Sequence, residues 1–239
     1  MKRMGLRRYN VLSLLFFCAV AIMLVPMFSS CGKEGAASPT GLNTQLNIIN
    51  AGPDRLPLYL FINLTQQNQV TRPYIYGVPS GYFYLTSLLT PLQLRTRKNV
   101  TIYTRDTALN VNCKYSLFVT GLLSDNTDTT IFVVDTNAAP GLGRAKVRFI
   151  NAAARSVNVD VVANGTSAFK NRGFISVSNY LELPAGMYDF KIYAAGTTTV
   201  LTDLPNTTVQ DGRLYTLYTR GVVGRADSAA FTAAIITNR

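Results

Sequence analysis

The sequence predicts an all-β protein made of two tandem antiparallel β-sandwiches, and three observations carry that reading. In several segments apolar residues alternate with polar ones at the two-residue period of a strand with one buried face. No long helical period follows the first thirty residues. A block of roughly ninety residues occurs twice in colinear order, the signature of a duplicated fold.

The duplication sets the domain boundaries. Leu46-Asn47-Ile48-Ile49-Asn50-Ala51 returns 101 positions later as Val147-Arg148-Phe149-Ile150-Asn151-Ala152. Without a gap, Leu56, Leu58 and Leu60 fall on Val157, Val159 and Val161, and Asn63 falls on Asn164. Ser80-Gly81-Tyr82 with Leu85 recurs as Ser178-Asn179-Tyr180 with Leu183, and Tyr115-Ser116-Leu117 with Gly121 recurs as Tyr215-Thr216-Leu217 with Gly221. A period this long excludes a solenoid and predicts globular domains at 43–136 and 144–239, joined by a linker at 137–143. Within the second copy, Tyr188, Phe190 and Ile192 alternate with Asp189, Lys191 and Tyr193, and Val157, Val159 and Val161 alternate with Asn158 and Asp160. Further β-rich runs occupy 146–151, 174–177, 214–220 and 229–237, and Leu183-Pro184-Ala185-Gly186 supplies a turn. The expectation is about seven strands per copy in an immunoglobulin- or transthyretin-like sandwich.

The N-terminus reads as an address. Lys2, Arg3, Arg7 and Arg8 precede an apolar run over residues 11–26, and Phe28-Ser29-Ser30-Cys31 leads into Gly32-Lys33-Glu34. This pattern resembles the bacterial lipoprotein signal, and its Ser-Ser-Cys-Gly form resembles that of Bacteroidetes lipoproteins. The resemblance implies a signal peptide at 1–30, lipidation of Cys31, a tether at 31–42, and attachment to a membrane through N-terminal acyl chains. A plain secretory signal and an uncleaved anchor are the competing readings; Ser13 and Pro26 interrupt the apolar run, which weighs against the anchor. The expected location is the cell envelope at the outer membrane, with the leaflet open. The mature chain keeps 19 Lys and Arg against 12 Asp and Glu, net +7, in no run that reads as a nucleic-acid patch. Arg95, Arg97 and Lys98 come nearest and read as a solvated strand end. With Cys18 in the signal and Cys31 acylated, Cys113 has no disulfide partner, so stability must come from packing.

Arg148-Phe149-Ile150-Asn151-Ala152, the Val-Asp-Val of 159–161, the stretch 180–188 around Pro184-Ala185-Gly186, and the stretch 214–221 together resemble a bacterial family, domain of unknown function 4397. That resemblance implies an extracytoplasmic, often tandem, β-sandwich-like domain and carries over no catalytic residue. The first copy departs from the pattern: residues 86–91 replace the turn, and Tyr59 stands where the second copy has Asp160.

The chain has no histidine, which removes the usual general base and the commonest metal ligand. No cofactor or metal is expected, although Asp125, Asn126 and Asp128 concentrate oxygen ligands in one loop. Asp160 and Glu182 are the best pair for histidine-free glycoside chemistry. Tyr74 and Tyr84 fall opposite Arg172 and Glu182 in the repeat, and so mark a candidate ligand contact. Tyrosine offers large area and a polar tip to a glycan or an envelope protein. Thr107, Thr129 and Ser228 follow aspartates in motifs resembling Bacteroidetes O-glycosylation sites. The function expected is a noncatalytic binding, adhesion or structural role, against the alternatives of a carboxylate-dependent glycan or cell-wall hydrolase and an accessory subunit of an envelope complex.

Overall fold

Turn chemistry and alternation cut each half of the chain into the same succession of strands. In the computed structural model, which describes residues 42–239, the first half carries β1 (Gln45–Asn50), β2 (Leu58–Ile62), β3 (Thr65–Gln66), β4 (Phe83–Tyr84), β5 (Leu92–Thr96), β6 (Thr101–Arg105), β7 (Lys114–Thr120) and β8 (Thr129–Val134). The second carries β9 (Arg144–Asn151), β10 (Val159–Ala163), β11 (Thr166–Arg172), β12 (Leu181–Pro184), β13 (Gly186–Ala194), β14 (Val200–Val209), β15 (Leu214–Arg220) and β16 (Thr232–Thr237). Cys31 and the segment 1–30 lie outside the described residues. So does the tether except for Leu42.

Sheet orders are β4-β1-β7-β8 and β3-β2-β5-β6 in the first half, β12-β9-β15-β16 and β11-β10-β13-β14 in the second. Each strand thus occupies the place of the one eight positions earlier. Among the described residues each half has eight strands where about seven were expected. Pairing is antiparallel except for β1 with β7 and β9 with β15, which run parallel because the chain completes the other sheet between them.

Several local features explain themselves. Where a turn was expected over Leu183-Pro184-Ala185-Gly186, the chain bends at Ala185 and passes from β12 of one sheet to β13 of the other. Pro205 sits inside β14, where the missing N–H is tolerated because β14 is an edge strand. There Pro205 and Asn206 bulge opposite Asp189, whose Oδ1 accepts the Asn206 N–H at 2.8 Å. The run 174–177, expected as a strand, makes a single bridge from Val177 to Ile150. Ser178 then takes over: its N–H donates to Phe149 O and its Oγ accepts the Phe149 N–H at 2.8 Å. Ser80 treats Ile48 identically. The repeated serine therefore closes the edges of β1 and β9 with a side-chain oxygen standing in for a carbonyl.

Alternation sends one side of each strand into a sandwich core. Leu46, Ile48, Leu60, Leu94 and Leu117 fill the first core; Cys113 is buried there as a free thiol. Val147, Phe149, Val161, Phe190 and Leu217 fill the second. A third core joins the halves: Ile49, Phe118 and Ile131 from one central sheet meet Ile150 and Tyr218 from the other. Phe118 and Tyr218 are repeat partners, and their rings meet edge to face at 5.3 Å. Residues that alternation alone would send to solvent, Asn47, Ser116, Arg148 and Thr216, are consequently buried.

Burial on that face demands partners for every polar group. Arg148 Nη2 donates to Asp135 Oδ1, Nη1 to Val134 O at 2.9 Å and Nε to Thr216 Oγ1 at 2.9 Å. Asp135 Oδ2 accepts from Tyr82 at 2.6 Å and Ser116 at 2.7 Å, while Tyr180 donates to Asp135 O at 3.2 Å. Asn238 Nδ2 reaches the Tyr82 hydroxyl at 3.1 Å. Burial first, then the Asp135 charge, pushes the Tyr82 hydroxyl well above its ordinary pKa, which keeps it a donor.

Removing one member of a buried ion pair leaves an uncompensated charge. Asp135→Ala is expected to lower unfolding stability by about 3–5 kcal/mol, and pairing it with Arg148→Met to cost less than the two singles together, read from denaturant midpoints in a double-mutant cycle. A second prediction concerns the repeated glycine. A Cβ on Gly221 (φ +83°) would lie 2.2 Å from Ala230 O, and one on Gly121 (φ +82°) 2.1 Å from Thr127 O. Gly221→Ala and Gly121→Ala are each expected to cost about 2 kcal/mol or more in thermal or chemical unfolding.

Candidate functional site

Each half carries a groove bordered by corresponding strands. In the first, β2, β3 and β4 border a cavity of about 250 Å³ lined by Leu60, Ile62, Gln67, Asn68, Tyr74, Phe83, Tyr84, Leu85 and Thr86. In the second, β10 to β13 border one of about 430 Å³ whose lining includes Ala163, Ala168, Leu181, Leu183, Pro184 and Tyr188. These are one site twice. Strand register pairs Ile62 with Thr65 and Ala163 with Thr166, so Gln67 corresponds to Ala168; the downstream offset matches Phe83 with Leu181, Leu85 with Leu183 and Thr86 with Pro184.

Tyr74 is set in place by its backbone. Its N–H and C=O exchange hydrogen bonds with Leu58 at 2.9 and 3.0 Å, and Asn50 Nδ2 lies 3.5 Å from its carbonyl. Asn151 makes the corresponding bond to Arg172 O at 3.0 Å, which accounts for the repeated Asn50 and Asn151. The Tyr74 ring stacks on Phe83 at 6.2 Å with planes 11° apart. Burial pushes its hydroxyl up to about 12. Tyr84 borders the same groove and, on another side, a cleft with Gln45, Lys114, Arg213 and Arg239.

Polar atoms at the rim are pre-positioned. Gln67 Oε1 accepts the Thr86 hydroxyl at 3.0 Å, and its Nε2 donates to Thr65 O at 2.8 Å. Asn68 Oδ1 accepts the Leu60 N–H at 2.8 Å, and its Nδ2 donates to Arg72 O at 2.9 Å. Sequence reasoning singled out Tyr74 and Tyr84, which the fold brings to one groove. It missed Gln67, Asn68, Phe83 and Thr86, although the contrast with Ala168, Leu181 and Pro184 was available once the copies were aligned through the strands.

The other residues singled out are dispersed. Asp160 lies on the outer face of β10, accepting backbone N–H groups of Asn171 at 2.7 Å and Gly196 at 2.9 Å, which hold its carboxyl below the ordinary range. Glu182 lies on the outer side of β12, 3.9 Å from Lys146. Val159 and Val161 beside one acid and Leu181 and Leu183 beside the other all face the core, so the sandwich separates the two carboxylates. In the loop after β7, Asp125 pairs with Arg155 and Asp128 with Arg55. Among the described residues no cluster of three or more His, Cys, Asp or Glu is arranged to hold a metal ion. Thr107 and Ser228 are exposed on loops, whereas Thr129 is half-buried at the start of β8.

A profile of the domain of unknown function DUF4397 matches residues 44–161 and again 145–239. The chain belongs to the DUF4397 family. The overlap of the two matches, 145–161, covers nearly all of β9 and the start of β10, which repeat β1 and β2. No curated protein matches the sequence. Within this DUF4397 tandem, Ser80/Ser178, Asn50/Asn151 and Gly121/Gly221 serve the shared frame, while the groove linings diverge.

Tyr74 and Tyr180 both have hydroxyls pushed up to about 12, against about 10 for an exposed tyrosine. The fold favours their neutral forms, so it binds their protons more tightly than the unfolded chain does, and stability should fall as pH rises from about 10 to about 12. Tyr74→Phe is expected to make that alkaline loss shallower, measured by urea midpoints at pH steps across the window.

Proposed function

We propose that this protein is a lipid-anchored envelope protein, held to a membrane by acyl chains on Cys31, that binds its ligand without catalysis through the first-half groove. The observation that carries the binding reading is the convergence of Tyr74 and Tyr84, two tyrosines that depart from the repeat pattern, on one cavity with fixed amides at its rim. Support for the anchor comes from the basic, apolar and Ser-Ser-Cys succession at the N-terminus. Residues 32–43 reach at most about 40 Å when extended, which keeps the first half near its membrane. Several acyl chains make such attachment durable, since each buried methylene contributes about 0.8 kcal/mol and a single chain binds only marginally. The hydrolase alternative draws no support from Asp160 and Glu182, which lie on opposite outer faces.

Expressed in a bacterium that processes lipoproteins, the full-length protein is expected to incorporate labelled palmitate and to partition into the detergent phase. Cys31→Ser should abolish both. Label retained by that variant would refute acylation at Cys31.

A further inference from the structure

We infer that the first-half groove takes a single uncharged sugar ring, the free end or an accessible unit of a neutral glycan; this rests on the binding reading above and gives it a ligand class. The lining contains no Asp, Glu, Lys or Arg, so nothing in it compensates a charged ligand. Its aromatic side, Phe83 stacked on Tyr74, offers a surface for the apolar C–H face of a pyranose. No described residue hydrogen-bonds the Tyr74 hydroxyl, which leaves that group to a ligand. Gln67, Asn68 and Thr86 supply the other side of the recognition. Each amide is already held by a backbone partner, so its remaining donors and acceptors point in fixed directions suited to hydroxyl groups.

Size narrows the ligand further. At about 250 Å³ the cavity lies below the 300–1,000 Å³ usual for drug-sized ligands, which fits one ring better than an extended oligosaccharide. The second groove supplies an internal contrast on the same frame. There Phe83 is replaced by Leu181, Gln67 by Ala168 and Thr86 by Pro184, and the aromatic of the lining is instead Tyr188, which stacks on Phe190 and whose hydroxyl is tied to Pro184 O at 2.9 Å. Sugar binding is assigned to the first groove, where Gln67, Asn68 and Thr86 meet the Tyr74–Phe83 stack.

The test uses the full-length protein in detergent micelles against an array of neutral and acidic oligosaccharides, with free monosaccharides as competitors. Phe83→Leu and Gln67→Ala carry residues that the equivalent sites of the second half already accommodate, so both variants should fold, as unfolding midpoints near that of the unaltered protein would verify. Expected are binding to neutral glycans, competition by a monosaccharide, and at least tenfold weaker binding in each variant, with Leu181→Ala in the second groove leaving affinity unchanged. No neutral glycan bound, preference for acidic glycans, or affinity indifferent to Phe83→Leu and Gln67→Ala would each overturn the inference. A protein segment captured in a Phe83-dependent manner would overturn the sugar assignment while sparing the binding reading, and loss of palmitate labelling would fail the anchor reading alone.

Discussion

The charged contact between Arg148 and Asp135 is the constraint around which the rest of the structure is arranged. It lies between the two central sheets, out of water, where each ion alone would cost several kcal/mol. Its tolerance depends on Tyr82, Ser116, Thr216, Tyr180 and the Val134 carbonyl all holding their positions. Those groups come from β7, β8 and β15 and from the segments before β4 and β12, around Arg148 of β9, so the contact fixes the register of one half against the other. Apolar burial at Ile49, Phe118, Ile150 and Tyr218 supplies the driving force, while the ion network selects one alignment from the many that such faces would accept.

Much of the fold was legible because alternation and turn chemistry agree. β13 and β15 follow from their residues, and the bend at Ala185 follows from Pro184 and Gly186. β11 and β14 were not legible: Thr166–Arg172 is largely exposed, and β14 carries a proline and a bulge that break the period. Alternation alone would also send Asn47, Ser116, Arg148 and Thr216 to solvent, since a pattern within one strand cannot reveal a second sheet lying on its outer face. The same limit applies to the site. Tyr74 and Tyr84 stood out by comparison of the copies, but Gln67 and Asn68 gain meaning only from the groove between β2 and β4, a neighbourhood that no spacing encodes.

Duplication also separates the residues that the shared frame requires from those it leaves free to vary. Where the two copies agree in residue and hydrogen bond, as at Ser80 and Ser178, the frame explains the residue. Where the frame is kept and the lining changes, as from Phe83 to Leu181, each residue packs against its own core and the shared frame alone does not fix the identity. The separation of Asp160 from Glu182 follows the same logic: each acid has its own local partners, and neither is arranged about a shared cleft.

The meeting of Phe118 with Tyr218 extends beyond packing. The contact is between equivalent positions, and Tyr180 reaching Asp135 mirrors Asn238 reaching Tyr82, so the surface between the halves is isologous in the manner of a twofold dimer. In a true homodimer every residue on such a surface must serve both sides of the axis at once, and a buried ion pair would have to appear twice. Joining the copies in one chain lifts that requirement: Asn47 and Asn238, uncharged, stand at the positions equivalent to Arg148 and Asp135, which hold a charged contact. The asymmetry makes the two halves non-interchangeable, so that a tandem built from two identical copies of either half would lack the interface found here.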